Sequence, residues 1–124
     1  MVRGGRYERR KNLRITIKVD DMARSVHFYS RLLGLKVLYG GENTYFPSLQ
    51  TLGTKDTILN LEKGQVTPVW GRIIFHVKNV DRFWAHMKEK EFGPARPRGA
   101  AWGERYFHLD DPDGHDLSFA QPIR

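Results

Sequence analysis

With 124 residues, 40% of them hydrophobic, the chain is long enough for one domain with a core and too short for two. It contains no cysteine, which excludes a disulfide framework, a thiolate zinc site and a cysteine nucleophile, and which fits a reducing cytoplasm. No apolar run approaches the roughly 20 residues that cross a bilayer, and residues 1–12 lack the apolar middle of a signal peptide. We therefore expect a cytoplasmic protein that is neither secreted nor bound to a membrane.

The formal net charge of +7 is unevenly distributed along the chain. Residues 1–12 carry five cations against Glu8, which places +4 before residue 13 and leaves +3 for the rest. A basic arm can bind phosphate backbones, but a disordered, solvated terminus is the more common case. We predict such an arm over residues 1–12 and do not expect nucleic acid as a partner. A steep salt dependence of binding, lost on deletion of residues 1–11, would indicate otherwise.

The first half of the chain begins with an alternating pattern. In Leu13–Val19 every second residue from Leu13 is hydrophobic, which predicts a strand with one buried side and with Arg14 on the other. An amphipathic helix follows, with a cap at Asp20 or Asp21 and a stop at Gly34. Three short extended segments complete this half: Lys36–Tyr39, roughly Tyr45–Leu52, and Thr57–Leu61.

The second half repeats the first at a shift of 58 residues. The segment RITIKV, which begins at Arg14, lies over RIIFHV, which begins at Arg72, and ILNL at Ile58 lies over DLSF at Asp116. The second helix has its own apolar stripe, formed by Val80, Phe83, Trp84 and Met87. Two matches at a single shift indicate an internal duplication.

The duplication predicts an α+β fold made of two βαβββ modules, at about 13–63 and 71–121, within one domain over residues 13–121. Gly64–Trp70 is then a short connector, because neither half alone covers both its sheet and its helix. Two modules related by a pseudo-twofold axis give twisted sheets with helices over one face. We expect the other face of each sheet to curl around a cavity that binds a small molecule.

Two segments resemble the vicinal oxygen chelate superfamily, which contains glyoxalase I, extradiol dioxygenases, fosfomycin-resistance enzymes and bleomycin-resistance proteins. The first begins at Val19 (VDDMARSVHFY) and ends at Leu35, and the second is DPDGHDL from Asp111. The resemblance covers about residues 13–121 and implies the glyoxalase/bleomycin-resistance/dioxygenase-like fold. The Asp-Pro-Asp-Gly run is also typical of a type I turn that leads into a strand.

The resemblance also implies where a metal would bind. In metal-using members the ligands, usually His and Glu, lie at the first cavity-facing position of each half's first strand and on each half's last strand. The corresponding residues here are Arg14, Asn60, Arg72 and Ser118. Guanidinium groups cannot bind a divalent cation, and amides and hydroxyls bind one weakly. We therefore expect no metal at these positions, and we predict no other cofactor.

The same four side chains indicate a ligand site instead. Arg14 and Arg72 would form bidentate pairs with a carboxylate or a phosphate, while the amide and the hydroxyl would orient nearby polar atoms. An anionic small molecule is thus one hypothesis for the ligand. In the alternative, Arg14 reaches solvent and Arg72 is neutralised by an internal acid, for which the candidates are Glu104 and Asp116.

Aromatic and histidine side chains would supply the rest of the pocket. Trp102 and Tyr106 are expected at its mouth, together with Tyr45, Phe46 and Trp70. His76 shares strand parity with Arg72, and His108 shares it with Tyr106, so we expect both histidines at the cavity as polar contacts or proton carriers. The remaining histidines are expected at the surface: His27, His86 and His115.

These observations favour metal-independent binding or sequestration of an anionic or aromatic metabolite, the role that the resemblance to bleomycin-resistance proteins implies. Bleomycin is cationic, and an acidic cavity suits its binding. Because this chain is basic, we do not expect bleomycin itself to be the ligand. The competing class is a lyase, isomerase or oxygenase with an atypical active site, which has either a shifted metal or His76, His108 or Tyr106 as acid and base. Convergence of the histidines on one point would favour the enzyme. No catalytic residue is assigned, and the resemblance implies a homodimer.

Overall fold

The computed structural model describes residues 13–42, 46–51, 57–90 and 92–123. The chain divides into two compact units, Met1–Gly64 and Gln65–Arg124, and their boundary falls within the predicted connector. The predicted basic arm over residues 1–12 and the predicted pocket residue Tyr45 lie outside the described residues. Among the helices described, none is both long enough and apolar enough to span a membrane.

The first unit contains a four-stranded sheet with the order β1-β4-β3-β2. Its strands are β1 (Leu13–Val19), β2 (Lys36–Tyr39), β3 (Ser48–Gln50) and β4 (Thr57–Lys63). β1 runs parallel to β4, and β3 is antiparallel to both of its neighbours. Between β1 and β2 lies α1, which begins as an α-helix over Met22–Val26 and continues as a π-helix over His27–Leu32.

The second unit repeats this plan with the strand order β5-β8-β7-β6. A 3-10 turn over Pro68–Trp70 precedes the first strand. The elements that follow are β5 (Arg72–His76), α2 (Val80–Glu89), β6 (Arg98–Gly99), β7 (Glu104–Asp110) and β8 (Asp116–Pro122). β5 runs parallel to β8, and the other two pairings are antiparallel.

The strand registers reproduce the internal repeat of the sequence. Arg14 lies opposite Ile58 in the first sheet, and Arg72 lies opposite Asp116 in the second, so both members of the pair move by the same 58 residues. The element order and both sheet orders are likewise the same in the two units. The predicted α+β fold of two βαβββ modules is therefore confirmed.

The first helix differs from the prediction in its winding. The Leu33 amide donates to the carbonyl of Phe28 at 3.0 Å, and the Leu35 amide donates to the carbonyl of Tyr29 at 2.9 Å, so the turns are wider than those of an α-helix. Phe28 and Tyr29 are both buried, and their rings meet edge to face at 5.0 Å. Two adjacent aromatic side chains thus reach the interior, where the wider turn accommodates both.

Each sheet buries one face beneath its helix. In the first unit the alternating residues of β1 and their neighbours on β4 are buried, as the pattern predicts: Ile17, Val19, Leu59 and Leu61. In the second unit the ring of Phe83 on α2 lies 4.8 Å from that of Phe119 and 6.2 Å from that of Phe107. Burial of these side chains is the main favourable term in the stability of each unit.

A forked ion pair joins the second helix to its sheet. Arg105 on β7 donates from Nε and Nη2 to the two carboxylate oxygens of Asp81 on α2, at 2.9 and 2.8 Å. The hydrogen bonds from Arg105 hold the pKa of the Asp81 carboxyl below its usual value. Because both side chains are largely exposed, the pair aligns helix and strand but adds little to the free energy of unfolding.

The two helices begin with equivalent caps. Asp21 Oδ1 accepts a hydrogen bond from the Arg24 amide at 3.1 Å, and Asn79 Oδ1 accepts one from the Arg82 amide at 3.0 Å. Removing such a cap leaves an amide of the first turn without its partner. We expect Asn79→Ala to lower the free energy of unfolding by about 1 kcal/mol in urea denaturation. Asn79→Asp keeps the accepting oxygen and serves as the control. Equal losses in the two variants would contradict a capping role.

Candidate functional site

We call the face of each sheet that turns away from its helix the far face. Seven of the eight predicted ligand-binding residues have far-face positions in the strand registers, and Trp102 lies in the turn before β7. Arg14 and Asn60 belong to the first unit. The other six belong to the second unit: Arg72, His76, Trp102, Tyr106, His108 and Ser118. Of the further predicted aromatics, Phe46 is in the first unit and Trp70 in the 3-10 turn.

Asn60 is the centre of a polar row on the far face of the first sheet. Its Oδ1 accepts a hydrogen bond from Ser48 Oγ at 2.7 Å, and its Nδ2 lies 3.4 Å from Thr16 Oγ1 as a donor. The side chain is 3% exposed, whereas Arg14, one row away, is exposed. Both polar ends of the Asn60 amide are thus oriented by its own sheet.

Three rows of side chains cross the far face of the second sheet. They are Arg72–Asp116–Asp110, Ile74–Ser118–His108 and His76–Ala120–Tyr106. Neighbouring strands lie about 4.8 Å apart, so positions on β5 and β7, which flank β8, are separated by about 10 Å. His76 lies on β5 and His108 on β7, in different rows, so the two histidines do not converge on one point.

Aromatic rings form a continuous surface at one end of this far face. The rings of Trp102 and Tyr106 are stacked, with centroids 6.0 Å apart and an interplanar angle of 23°. The His108 ring follows at 5.1 Å from Tyr106. We call these three residues the aromatic platform. Trp102 is 71% exposed, which leaves a large flat apolar surface open to a planar ligand.

Glu104 fixes the position of the exposed indole. Trp102 Nε1 donates to Glu104 Oε1 at 2.9 Å, and His76 Nε2 lies 3.0 Å from Glu104 Oε2. The hydrogen bond from Trp102, followed by that from His76, holds the pKa of the Glu104 carboxyl below its usual value. An ionised carboxylate only accepts hydrogen bonds, so His76 carries its proton on Nε2. Glu104 thus orients both Trp102 and His76.

Arg72 is paired within its own sheet. Its Nε donates to Asp116 Oδ2 at 3.0 Å, which is one of the two neutralising partners that the sequence suggests. The pair lines a cavity of about 590 Å³ whose wall also contains Asp110 and Val69. One cation faces two carboxylates there, so this end of the far face has no excess of positive charge. Glu104, the other suggested partner, is held by Trp102 and His76 instead.

His108 has a ring nitrogen without a partner. Its Nδ1 is buried and makes no hydrogen bond to any residue that the structure describes, and His108 lines a small cavity of about 280 Å³ beside Phe92 and Pro94. The buried hydroxyl residue Ser118 lies directly opposite His108 in the strand register. A buried polar atom without a partner costs free energy, so a ligand group or a water that reaches this nitrogen would be stabilised there.

The prediction that His115 lies at the surface is wrong. The side chain is 1% exposed, and its Nδ1 accepts a hydrogen bond from Trp70 Nε1 at 2.9 Å. Asp111 Oδ1 accepts from the backbone amides of Asp113 and His115 at 2.9 and 2.8 Å, and these bonds turn the chain so that the imidazole points inward. His27 and His86 are exposed, as predicted.

The same turn brings together three groups that could hold a metal ion. Ligand atoms of Asp111, Asp113 and His115 lie within 4.8 Å of one another. Asp111 Oδ1 and His115 Nδ1 are both engaged in the hydrogen bonds that shape the turn. The closeness of these three groups is therefore a consequence of turn geometry.

The four positions at which the resemblance puts metal ligands do not fit a divalent cation. Arg72 is a cation bound to Asp116, and the Asn60 oxygen accepts from Ser48. Arg14 and Ser118 add a second guanidinium and a neutral hydroxyl. Such a set lacks the carboxylate and imidazole ligands that divalent metals require.

Two residues of this surface were missed by the sequence analysis as contributors to the site. Arg98 on β6 lies opposite Tyr106, and its guanidinium carbon is 5.5 Å from the centre of the Tyr106 ring. Glu104 was considered only as a partner for Arg72. Strand parity could have identified Glu104, because it lies two residues before Tyr106 on the same strand. No such pattern exists for Arg98, because the two-residue strand β6 is too short to show any periodicity.

The protein is a small internal duplication, and the far face of its second sheet contains the aromatic platform. The family model described as Glyoxalase/Bleomycin resistance protein/Dioxygenase superfamily matches residues 12–119. The chain therefore belongs to this superfamily, as the resemblance implies.

Three comparisons illustrate the range of similar proteins. A lactoylglutathione lyase of Escherichia coli O157:H7 is 25% identical, with 88% of this chain and 90% of that protein covered. An integron cassette protein from the mobile metagenome of the Halifax Harbour sewage outfall matches with a TM-score of 0.78 at 18% identity, covering 89% of this chain and 97% of the other. TnmS3, an antibiotic binding protein from Streptomyces sp. CB03234, matches with a TM-score of 0.74 at 24% identity, covering 90% and 94%. The two structural matches demonstrate a shared fold.

Proposed function

We propose that the protein binds or sequesters a small aromatic molecule without a metal ion. The observation that carries this proposal is the stack of Trp102 on Tyr106, with Trp102 largely exposed and held in place by Glu104. A planar ligand that stacks on this surface removes apolar area from water on both partners. The His108 ring, 5.1 Å from that of Tyr106, extends the platform beyond the stacked pair.

The charges on the far faces favour an aromatic ligand over one bound by charge alone. Arg72 is neutralised by Asp116, and on the first sheet Lys18 pairs with Glu62 at 3.0 Å. The anionic hypothesis depends on Arg14 and Arg72. Of these two, only Arg14 lacks an acid partner among the described residues. Stacking, which needs no net charge, is the stronger basis for recognition here.

Binding of a small molecule is a role that another protein of this fold performs. TnmS3, which has the same fold, is an antibiotic binding protein. Binding alone requires a complementary surface and none of the convergent acid and base groups of an active site. The proposal also includes the homodimer that the resemblance implies, which sedimentation would detect as twice the 14.5 kDa chain mass.

The test uses 2-naphthamide, a neutral bicyclic aromatic probe, titrated into the protein and followed by NMR through the indole N–H signals. We expect the Trp102 signal to shift, because the probe stacks on that ring. Trp102→Ala should raise the dissociation constant roughly threefold to tenfold, the range expected for one aromatic stack. Trp84→Phe is the control, since Trp84 lies on α2 and its indole donates to the carbonyl of Pro94 at 3.3 Å.

The same titration tests metal independence. Addition of EDTA, or of zinc or nickel, should leave the dissociation constant of 2-naphthamide unchanged. Elemental analysis of protein purified without chelator should find no stoichiometric transition metal. A bound metal, or loss of binding in EDTA, would contradict the proposal, and so would equal effects of Trp102→Ala and Trp84→Phe.

The alternative is an enzyme, and one observation favours it: the curated relatives that match are named lactoylglutathione lyase. Against it stand the separation of His76 from His108 and the engagement of His76 with Glu104. Stoichiometric metal in the purified protein, together with measurable lactoylglutathione lyase activity, would favour this second class.

A further inference from the structure

Arg98 is an unassigned cation at the aromatic platform. It lies on the edge strand β6, directly opposite Tyr106, and its guanidinium carbon is 5.5 Å from the centre of the Tyr106 ring. The side chain is exposed. A guanidinium that lies over an aromatic ring keeps its N–H groups in the plane of the group, where they can donate to a neighbouring anion.

Among the described residues of this far face, Arg98 differs from Arg72 in having no acid as a partner. Arg72 has its acid in Asp116, and the Glu104 carboxylate is taken by Trp102 and His76. Arg98 has no acid partner among the residues that the structure describes. The one unpaired arginine described on the far face of this sheet therefore lies beside the stacked rings.

We propose that the ligand is a planar aromatic carboxylate, with its ring on Trp102 and its carboxylate on Arg98. This inference rests on the proposed function, because it uses the same platform. A guanidinium and a carboxylate match in shape and form two parallel hydrogen bonds. Arg98 would then favour anionic aromatic molecules over neutral ones. Arg72 cannot supply this preference, because Asp116 neutralises its charge.

The experiment compares two probes of the same shape, 2-naphthoate and 2-naphthamide, by isothermal titration calorimetry at low salt. We expect naphthoate to bind about fivefold tighter than naphthamide to the wild-type protein, the upper range for an exposed ion pair. Arg98→Gln should remove this preference, because naphthoate loses its ion pair and naphthamide has none to lose. The preference should also shrink as the salt concentration rises.

Two further variants make the result specific. Arg98→Lys keeps the charge but not the forked geometry, so it should retain part of the preference. Arg96→Gln removes a nearby exposed arginine whose guanidinium carbon lies 5.6 Å from the Trp84 ring, and it should leave the preference intact. Circular dichroism of each variant checks that the fold is kept.

The outcomes separate this inference from the proposed function. Equal binding of the two probes to wild-type protein, with sensitivity to Trp102→Ala, would overturn the role of Arg98 and leave the aromatic site standing. An equal loss of both probes in Arg98→Gln would also overturn it, because charge would then not be selected. Failure of both probes to bind the wild-type protein would remove the proposed function and this inference together.

Discussion

Replacing Phe119 by alanine should destabilise the second unit by roughly 3–5 kcal/mol, the range for deletion of a buried aromatic ring. Phe119 is 1% exposed, and its ring lies 5.4 Å from Phe75, 4.8 Å from Phe83 and 5.2 Å from Phe107. It therefore joins β5, α2 and β7 across β8. Small domains are stable by only about 5–15 kcal/mol, so the loss is a large fraction of the whole.

Urea denaturation measured in two ways would locate this loss. All three tryptophans lie in the second unit, so their fluorescence reports on that unit, while far-ultraviolet circular dichroism reports on both. The control is Ile74→Ala on the same sheet, where the side chain is 57% exposed and the expected change is about 0.5 kcal/mol. A similar loss of unfolding free energy in the two variants would show that the packing of the three rings around Phe119 does not stabilise the unit.

The sequence predicted the fold because the duplication can be recognised without knowing any structure. Alternation in β1 predicted which side chains are buried, and the same shift of 58 residues that aligns Arg14 with Arg72 also aligns the observed strand pairings. The weaker predictions concern short or irregular segments. The predicted strand Tyr45–Leu52 appears among the described residues only as Ser48–Gln50, and no periodicity predicts the wider turns of the first helix.

The candidate site was predictable only in part, because pairing between side chains depends on three-dimensional neighbours. Strand parity predicts that Arg72 and His108 share a face of the sheet with their neighbours, and the registers have both on the far face. It left two acids open as partners for Arg72, and the register selects Asp116, which lies directly opposite. No sequence pattern predicts the position of Arg98. The strand β6 has only two residues, and the sequence does not determine the course of the loop that joins it to β7.

The turn before β8 presents the other large expected effect. Asp111 is 4% exposed, and its Oδ1 accepts two backbone amides, those of Asp113 and His115. Asp111→Ala would leave both donors without this partner, and the His115 amide is in a buried position. We expect a loss of roughly 1–3 kcal/mol in the free energy of unfolding, the cost of a buried donor that loses its acceptor. Trp70, which donates to His115, makes tryptophan fluorescence a direct reporter.

Two measurements, on Asp111→Asn and on the wild-type protein in a chelator, distinguish a purely structural turn from a metal site at these residues. Asparagine keeps an accepting oxygen at the same position, so a turn predicts a much smaller loss for Asp111→Asn than for Asp111→Ala. A metal held by Asp111, Asp113 and His115 predicts instead that both variants are weakened and that EDTA destabilises the wild-type protein to a similar extent. Unchanged stability in EDTA, together with a near-normal Asp111→Asn, would mean that hydrogen bonds to the backbone explain why these three groups lie together.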